Sequence, residues 1–135
     1  MAEIKPGLKA RIDKVVVREM TASHIGSGSV PVLSTPMMIG FMEEASHAVV
    51  APHLPAGQST VGTIVNIKHL AATPLGMKFY AEAELIEVDR RRLRFKVAAY
   101  DEKEKVGEGE HERFIIDIDR FAERLAAKIP KAATT

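Results

Sequence analysis

The sequence lacks cysteine and tryptophan altogether, and aromatic residues make up only 5% of it. Without cysteine, disulfides, thiolate metal sites and a cysteine nucleophile are excluded. An excess of charge of one sign is also missing, because the formal net charge is +1. This balance indicates neither a nucleic-acid partner nor a membrane-attracting surface. No apolar run approaches the roughly 18 residues of a membrane span, and the N-terminus lacks the apolar core of a signal peptide, so we expect a cytoplasmic protein.

The chain length is typical of one domain. With 135 residues and a mass of 14.8 kDa, the protein is long enough to bury a core of its own. We therefore expect a single domain over residues 1–135, with a frayed tail over about 130–135.

The pattern along the chain predicts a strand, a long helix and then a run of strands. The β-branched stretch from Ile12 to Met20 predicts the first strand, and a Gly/Ser-rich loop follows at 24–34. Thr35 provides an N-cap hydroxyl and Pro36 the first residue of a buried helix that ends near Ala51. Further strands are predicted at 60–70, 77–88, 92–100 and 105–118, and a short terminal helix at 121–128.

This order predicts an α+β fold in which an antiparallel sheet of five strands wraps one long central helix, with a short C-terminal helix. A single sheet of this kind leaves an edge strand and one side of the helix uncovered. Two copies would cover them, so a homodimer or a dimer of dimers is expected.

Three polar residues occupy positions at which the hydrophobic pattern predicts a helix cap or a core residue. Thr35 begins the long helix, Glu43 follows eight residues later, and His69 shares a strand face with Val61, Thr63, Val65 and Ile67. Taken one by one, they fit an ordinary N-cap, a solvated helix residue and a hydrogen-bonded core histidine. Taken together, they provide a hydroxyl, a carboxylate and an imidazole, which points to an enzyme.

Two segments of the chain contain these three residues. The first runs from Thr35 through Pro36-Met37-Met38 to Glu43, and the second from Val61-Gly62-Thr63 through His69 to Gly76. Both segments resemble the hotdog-fold acyl-CoA thioesterases related to fluoroacetyl-CoA thioesterase. The resemblance implies a hotdog fold and hydrolysis of a small acyl-CoA to a carboxylic acid and free CoA. It also implies that Thr35, Glu43 and His69 are catalytic and that Gly62 is the active-site glycine.

The chemistry of thioester hydrolysis fits these residue types. Thr35 at a helix start can attack or orient the carbonyl, Glu43 can act as acid or base, and His69 can move a proton to the leaving thiolate. Gly62 would let the substrate approach the strand backbone, although a glycine there is also typical of a bulge. Arg113 is either a contact for a carboxylate or CoA or a surface cation. No metal and no cofactor beyond the CoA of the substrate is expected.

The sequence does not specify which acyl group the protein hydrolyses. In the fluoroacetyl-CoA enzyme a longer loop before the threonine carries aromatic residues that cover the acyl group, whereas residues 24–34 here contain none. Glu44 also stands where that enzyme has a bulky aromatic residue. The resemblance therefore implies thioester hydrolysis rather than fluoroacetate selectivity. The alternative is a non-catalytic protein of the same fold that binds acyl-CoA or a small acyl group.

Overall fold

The sheet contains five antiparallel strands in the order β1-β3-β4-β5-β2, and the computed structural model describes residues 3–130. The strands are β1 (Lys9–Val15), β2 (Gln58–His69), β3 (Lys78–Asp89), β4 (Arg92–Asp101) and β5 (Lys105–Asp117). The helices are α1 (Ala22–Ile25), α2 (Thr35–Val50) and α3 (Ile118–Lys128). The predicted architecture is thus confirmed. Residues 131–135 of the predicted frayed tail lie outside the described part of the chain.

Helix α2 packs along the inner face of the sheet, mainly against β3 and β1. Its buried side chains recur at helical spacing and meet the inward-facing apolar residues of the strands, so helix and sheet share one core. At Gly107 the helix approaches β5 closely: a Cβ atom there would lie 2.6 Å from Sδ of Met38. A side chain at this position would therefore require the ends of the Met38 and Met42 side chains to move.

The first strand lies earlier than the sequence predicted. It spans Lys9–Val15 instead of Ile12 to Met20. Polar residues alternate with half-buried ones along it, as expected for an edge strand that faces solvent on one side. The valine-rich stretch reaches beyond the strand because Val16 turns into the core and a 3₁₀ turn begins at Arg18.

The loop at 24–34 is more ordered than its glycines and serines suggest. Its start belongs to α1, which ends at Gly26 with a left-handed backbone (φ 84°). Backbone hydrogen bonds fasten the far end, because Ala22 donates to the carbonyl of Val32 and Leu33 donates to that of Thr73. This anchoring fixes the backbone that leads into α2.

Strand β2 is an edge strand with a bulge near its middle. Gly62 pairs with Arg113 and Ile64 with Glu112, so Thr63 is the extra residue. The strict alternation predicted for this strand is therefore wrong at its start, because the extra residue reverses the faces that precede it. Gly62 now lies on the same inner face as Val65, Ile67 and His69, and Val61 lies on the outer face.

Candidate active site

The hydroxyl of Thr35 contacts the imidazole of His69 directly. Oγ1 of Thr35 lies 2.7 Å from Nδ1 of His69, which places the start of α2 beside the end of β2. Ser34, not Thr35, is the N-cap of the helix, because its side chain accepts a hydrogen bond from the backbone N–H of Met37 at 3.3 Å. Since Ser34 performs the capping, the Thr35 hydroxyl is available to His69. The sequence-based assignment of the cap to Thr35 is corrected accordingly.

His69 is half-buried and only partly hydrogen-bonded. Burial lowers its pKa below the usual value, and the nearby backbone of Ala71 opposes this shift. Within residues 3–130, Nε2 of His69 is buried and has no hydrogen-bond partner. A neutral imidazole with one nitrogen on a hydroxyl and the other unpaired is suited to exchanging protons with a substrate.

Glu43 lies in a second cluster, with Gly62 and Arg113. Its carboxylate Oε2 is 3.7 Å from Nη1 of Arg113, and its side chain is 40% exposed. A Cβ atom on Gly62 would lie 2.9 Å from the same oxygen, so the carboxylate occupies the space that glycine leaves free. Arg113 is buried, with 7% of its surface exposed, which rules out the alternative of a surface cation.

The two clusters lie at different places along the helix. Eight residues separate Thr35 from Glu43, which corresponds to about 12 Å along the helix axis. Strand β2 passes both positions: its residue His69 lies beside Thr35, and its residue Gly62 lies beside Glu43. One chain therefore brings together Thr35 with His69, and Glu43 with Gly62 and Arg113, but it does not bring all three proposed catalytic side chains together.

Thr60 and His111 were missed from the sequence, although both are part of the second cluster. Thr60 accepts a hydrogen bond from Nε of Arg113 at 2.8 Å, and Nε2 of His111 lies 3.2 Å from Nη1 of Arg113. The sequence does contain a signal for His111, because it and Arg113 alternate with outward-facing glutamates on β5. The approach of Thr60 to Arg113 depends instead on the register between β2 and β5. Among residues 3–130, no group of three or more His, Asp or Glu side chains is placed to hold a metal ion.

Comparisons with known proteins agree on the class of enzyme. Residues 16–119 match the family of fluoroacetyl-CoA-specific thioesterases. The fluoroacetyl-CoA thioesterase of Streptantibioticus cattleyicolor is 38% identical over 99 residues, which are 73% of this chain and 71% of that protein.

Solved structures extend the similarity to the whole fold. A structure of the fluoroacetyl-CoA thioesterase FlK has a TM-score of 0.89 at 33% identity and covers 96% of this chain and 100% of its own. A thioesterase superfamily member from Thermus thermophilus has a TM-score of 0.81 at 31% identity, covering 95% and 100%.

The fold and these similarities define a hotdog thioesterase, a hydrolase of acyl-CoA thioesters. The chain belongs to the family of fluoroacetyl-CoA-specific thioesterases. The family, fold and reaction class indicated by the sequence are thereby confirmed, and the alternative of a non-catalytic binding protein loses its support. Within the described residues, no helix is long and apolar enough to cross a membrane.

Proposed function

We propose that this protein hydrolyses short-chain acyl-CoA thioesters as a cytoplasmic homodimer whose sites combine residues of two chains. Each site would contain Thr35 and His69 of one chain and Glu43, Gly62 and Arg113 of its partner. The observation that carries this proposal is the separation of the two clusters within one chain by about 12 Å along α2. Neither cluster alone provides a hydroxyl, an imidazole and a carboxylate.

The edge strand β2 offers a way to join the clusters. Its middle residues are exposed and apolar, with Ile64 53% and Val65 44% exposed. Antiparallel pairing of β2 with the same strand of a second copy would satisfy the edge hydrogen bonds and cover these side chains. A twofold axis midway between Gly62 and His69 would bring Gly62 of one chain opposite His69 of the other.

The bulge supports this pairing. Gly62 and His69 lie on the same inner face only because Thr63 is an extra residue. Residues that oppose each other in an antiparallel pair point to the same side of the sheet. The carboxylate of Glu43 and the unpaired Nε2 of His69 would therefore face each other across the interface.

This arrangement supports hydrolysis without a metal or a bound cofactor. Glu43 takes a proton from water as the oxygen attacks the thioester carbonyl, and the N–H of Thr35 at the positive end of α2 stabilises the oxyanion. When the C–S bond breaks, the proton passes through His69 and Thr35 to the departing CoA thiolate. Thr35 also orients the carbonyl. Activity that is unchanged after treatment with a chelator would support the metal-free route.

Steady-state thiol release from a panel of acyl-CoAs tests the reaction, and mixed dimers test the shared site. We expect Glu43→Ala and His69→Ala each to lower hydrolysis by about a hundredfold or more, the usual effect of losing an acid or base. Mixing the two variants as differently tagged chains should restore about a quarter of the wild-type rate, because half the dimers are mixed and each contains one intact site. A mixture no faster than the sum of its parts would contradict the shared site.

A further inference from the structure

The guanidinium of Arg113 is held by Thr60 and His111. Its Nε donates to Oγ1 of Thr60 at 2.8 Å, and its Nη2 donates to the carbonyl of Thr60 at 2.9 Å. The third contact is to Nε2 of His111, which lies 3.2 Å from Nη1. Nη1 is also the nitrogen nearest Glu43, at 3.7 Å. His111 therefore contacts the part of the guanidinium that faces the carboxylate.

The two contacts of His111 determine its protonation. Nδ1 lies 2.8 Å from the backbone carbonyl of Ile64, which can only accept, so this nitrogen must carry a proton. Nη1 of Arg113 can only donate, so Nε2 of His111 must be free of a proton. Only the neutral imidazole with hydrogen on Nδ1 satisfies both neighbours.

The surroundings of His111 favour this neutral form. The side chain is 1% exposed and packs beside the ring of Phe95. Burial is the main cause that lowers the pKa of His111, and the charge of Arg113 acts in the same direction. The hydrogen bond to Ile64 and the carboxylate of Glu43 oppose the shift.

His111 thus connects two parts of the site. Ile64 is the first residue after the bulge that turns Gly62 to the inner face. A Cβ atom on Gly62 would lie 3.1 Å from Cε1 of His111, so the ring also forms part of the wall beside the glycine. One side chain therefore contacts both the backbone of the bulge and the cation beside Glu43.

We propose that His111 is a positioning residue of the thioesterase site. In its Nδ1–H tautomer it fixes the bulge of β2 through Ile64 and the guanidinium of Arg113 beside Glu43. This inference rests on the proposed function, since it assumes that Glu43 takes part in catalysis. His111 itself does not contact the reacting atoms in this scheme.

Three substitutions separate the two contacts of His111. The amide of His111→Asn retains a donor near Nδ1 and loses the acceptor for Arg113, while His111→Gln places an acceptor near Nε2 and loses the donor to Ile64. His111→Phe removes both at similar volume. We expect kcat to fall about tenfold or more in the Asn and Phe variants, because Arg113 and with it Glu43 lose their fixed position, with KM nearly unchanged. The Gln variant loses only the hydrogen bond to Ile64, so its kcat should fall less than that of the Asn and Phe variants.

The result that overturns the proposal is wild-type kcat in His111→Asn or in a folded His111→Phe variant. Circular dichroism shows whether the Phe variant folds. If it does not, the comparison of the Asn and Gln variants still shows whether the contact with Arg113 affects kcat. A loss confined to thermal stability, with equal kcat in all folded variants, would likewise show a purely structural role.

Nitrogen NMR of the imidazoles in the wild-type protein provides a test that does not need activity. We expect the His111 signals to show hydrogen on Nδ1 and none on Nε2 at neutral pH. A proton on Nε2 would overturn the proposed tautomer even if the enzyme were fully active. A wild-type protein that releases no thiol from any acyl-CoA would instead refute the proposed function, so the two failures are distinguishable.

Discussion

Oγ1 of Thr35 and Nδ1 of His69 are 2.7 Å apart, although 34 positions separate the two residues in the chain. The contact joins the first turn of α2 to the last residue of β2. It depends on Ser34, whose side chain caps the helix in place of Thr35. The helix cap and the contact with His69 are thus made by adjacent residues, and each can be altered separately.

Removing the Thr35 hydroxyl should impair catalysis. We expect Thr35→Ala to lower kcat about a hundredfold, since the imidazole loses its proton-sharing partner and the carbonyl its orienting group. Thr35→Ser retains a hydroxyl at the same place and is the matched control, with a kcat within about tenfold of wild type. Thiol-release kinetics provide both values. Equal rates in the Ala and Ser variants would show that the hydroxyl has no part in the reaction.

Removing the cap should instead affect stability. Ser34→Ala leaves the N–H of Met37 without its side-chain acceptor, at a cost of about 1 kcal/mol in the free energy of unfolding. Urea unfolding measures this loss, and Ser34→Asp, which restores an acceptor, should recover it. An Ala variant as stable as wild type would mean that water replaces the cap without penalty.

A side chain at Gly62 should displace Glu43. The added methyl group of Gly62→Ala would lie 2.9 Å from Oε2, so the flexible carboxylate must move while the fold persists. A shift of about 1 Å at a catalytic group can cost a hundredfold, and we expect kcat to fall by about that factor. Gly40→Ala is the matched control, because no atom lies within 4 Å of a Cβ there. Full activity in Gly62→Ala would contradict the placement of Glu43.

Acid should destabilise the folded protein partly through His69. Burial lowers the pKa of His69 in the folded state, so the unfolded chain binds a proton more readily as the pH falls below 6.5. The contribution of this histidine is therefore present above pH 6.5 and is lost as the pH falls from there towards the lower folded-state pKa. Urea unfolding measures the free energy of unfolding at pH 7.5 and at pH 5.5. The difference between these two values should be smaller in His69→Gln than in wild type. The exposed His24→Gln serves as control, and an unchanged difference in both variants would refute the assignment.

Fluoroacetyl-CoA should be preferred over acetyl-CoA only weakly. The segment from α1 to Ser34 has no aromatic side chain to cover a small acyl group. One small apolar group in a pocket contributes only ~1–3 kcal/mol to discrimination. Competition kinetics with the two thioesters measure the ratio, and short or branched acyl-CoAs should also be accepted. A preference of many thousandfold would place the selectivity elsewhere, around Gly62 and His69.

The regular elements were predictable because their signals are local. The alternation of β3 to β5 and the Pro36 start of α2 gave bounds within a few residues of those observed. The first strand was misplaced because the valines beyond Val15 have high strand propensity, yet Val16 is needed in the core. Propensity does not reveal which end of an apolar stretch leaves the sheet.

The residues of the candidate site could be proposed from the sequence, but their arrangement in space could not. Resemblance to a family indicated Thr35, Glu43 and His69, yet their division into two clusters depends on helix rise and on the crossing of α2 over β2. Thr60 and His111 approach Arg113 only because β2 and β5 pair in one particular register. A register is a relationship between distant segments, so no local pattern contains it.

The single extra residue in β2 restricts how the segment from Gly62 to His69 can change in length. Side chains alternate along a strand, so losing or gaining one residue here would turn either the glycine or the imidazole to the outer side of the sheet. Changes by two residues would keep both inside but shift one cluster along the edge by about 7 Å relative to the other. Substitutions at the positions between Gly62 and His69 are therefore open to evolution and to protein engineers, whereas short insertions and deletions there are not.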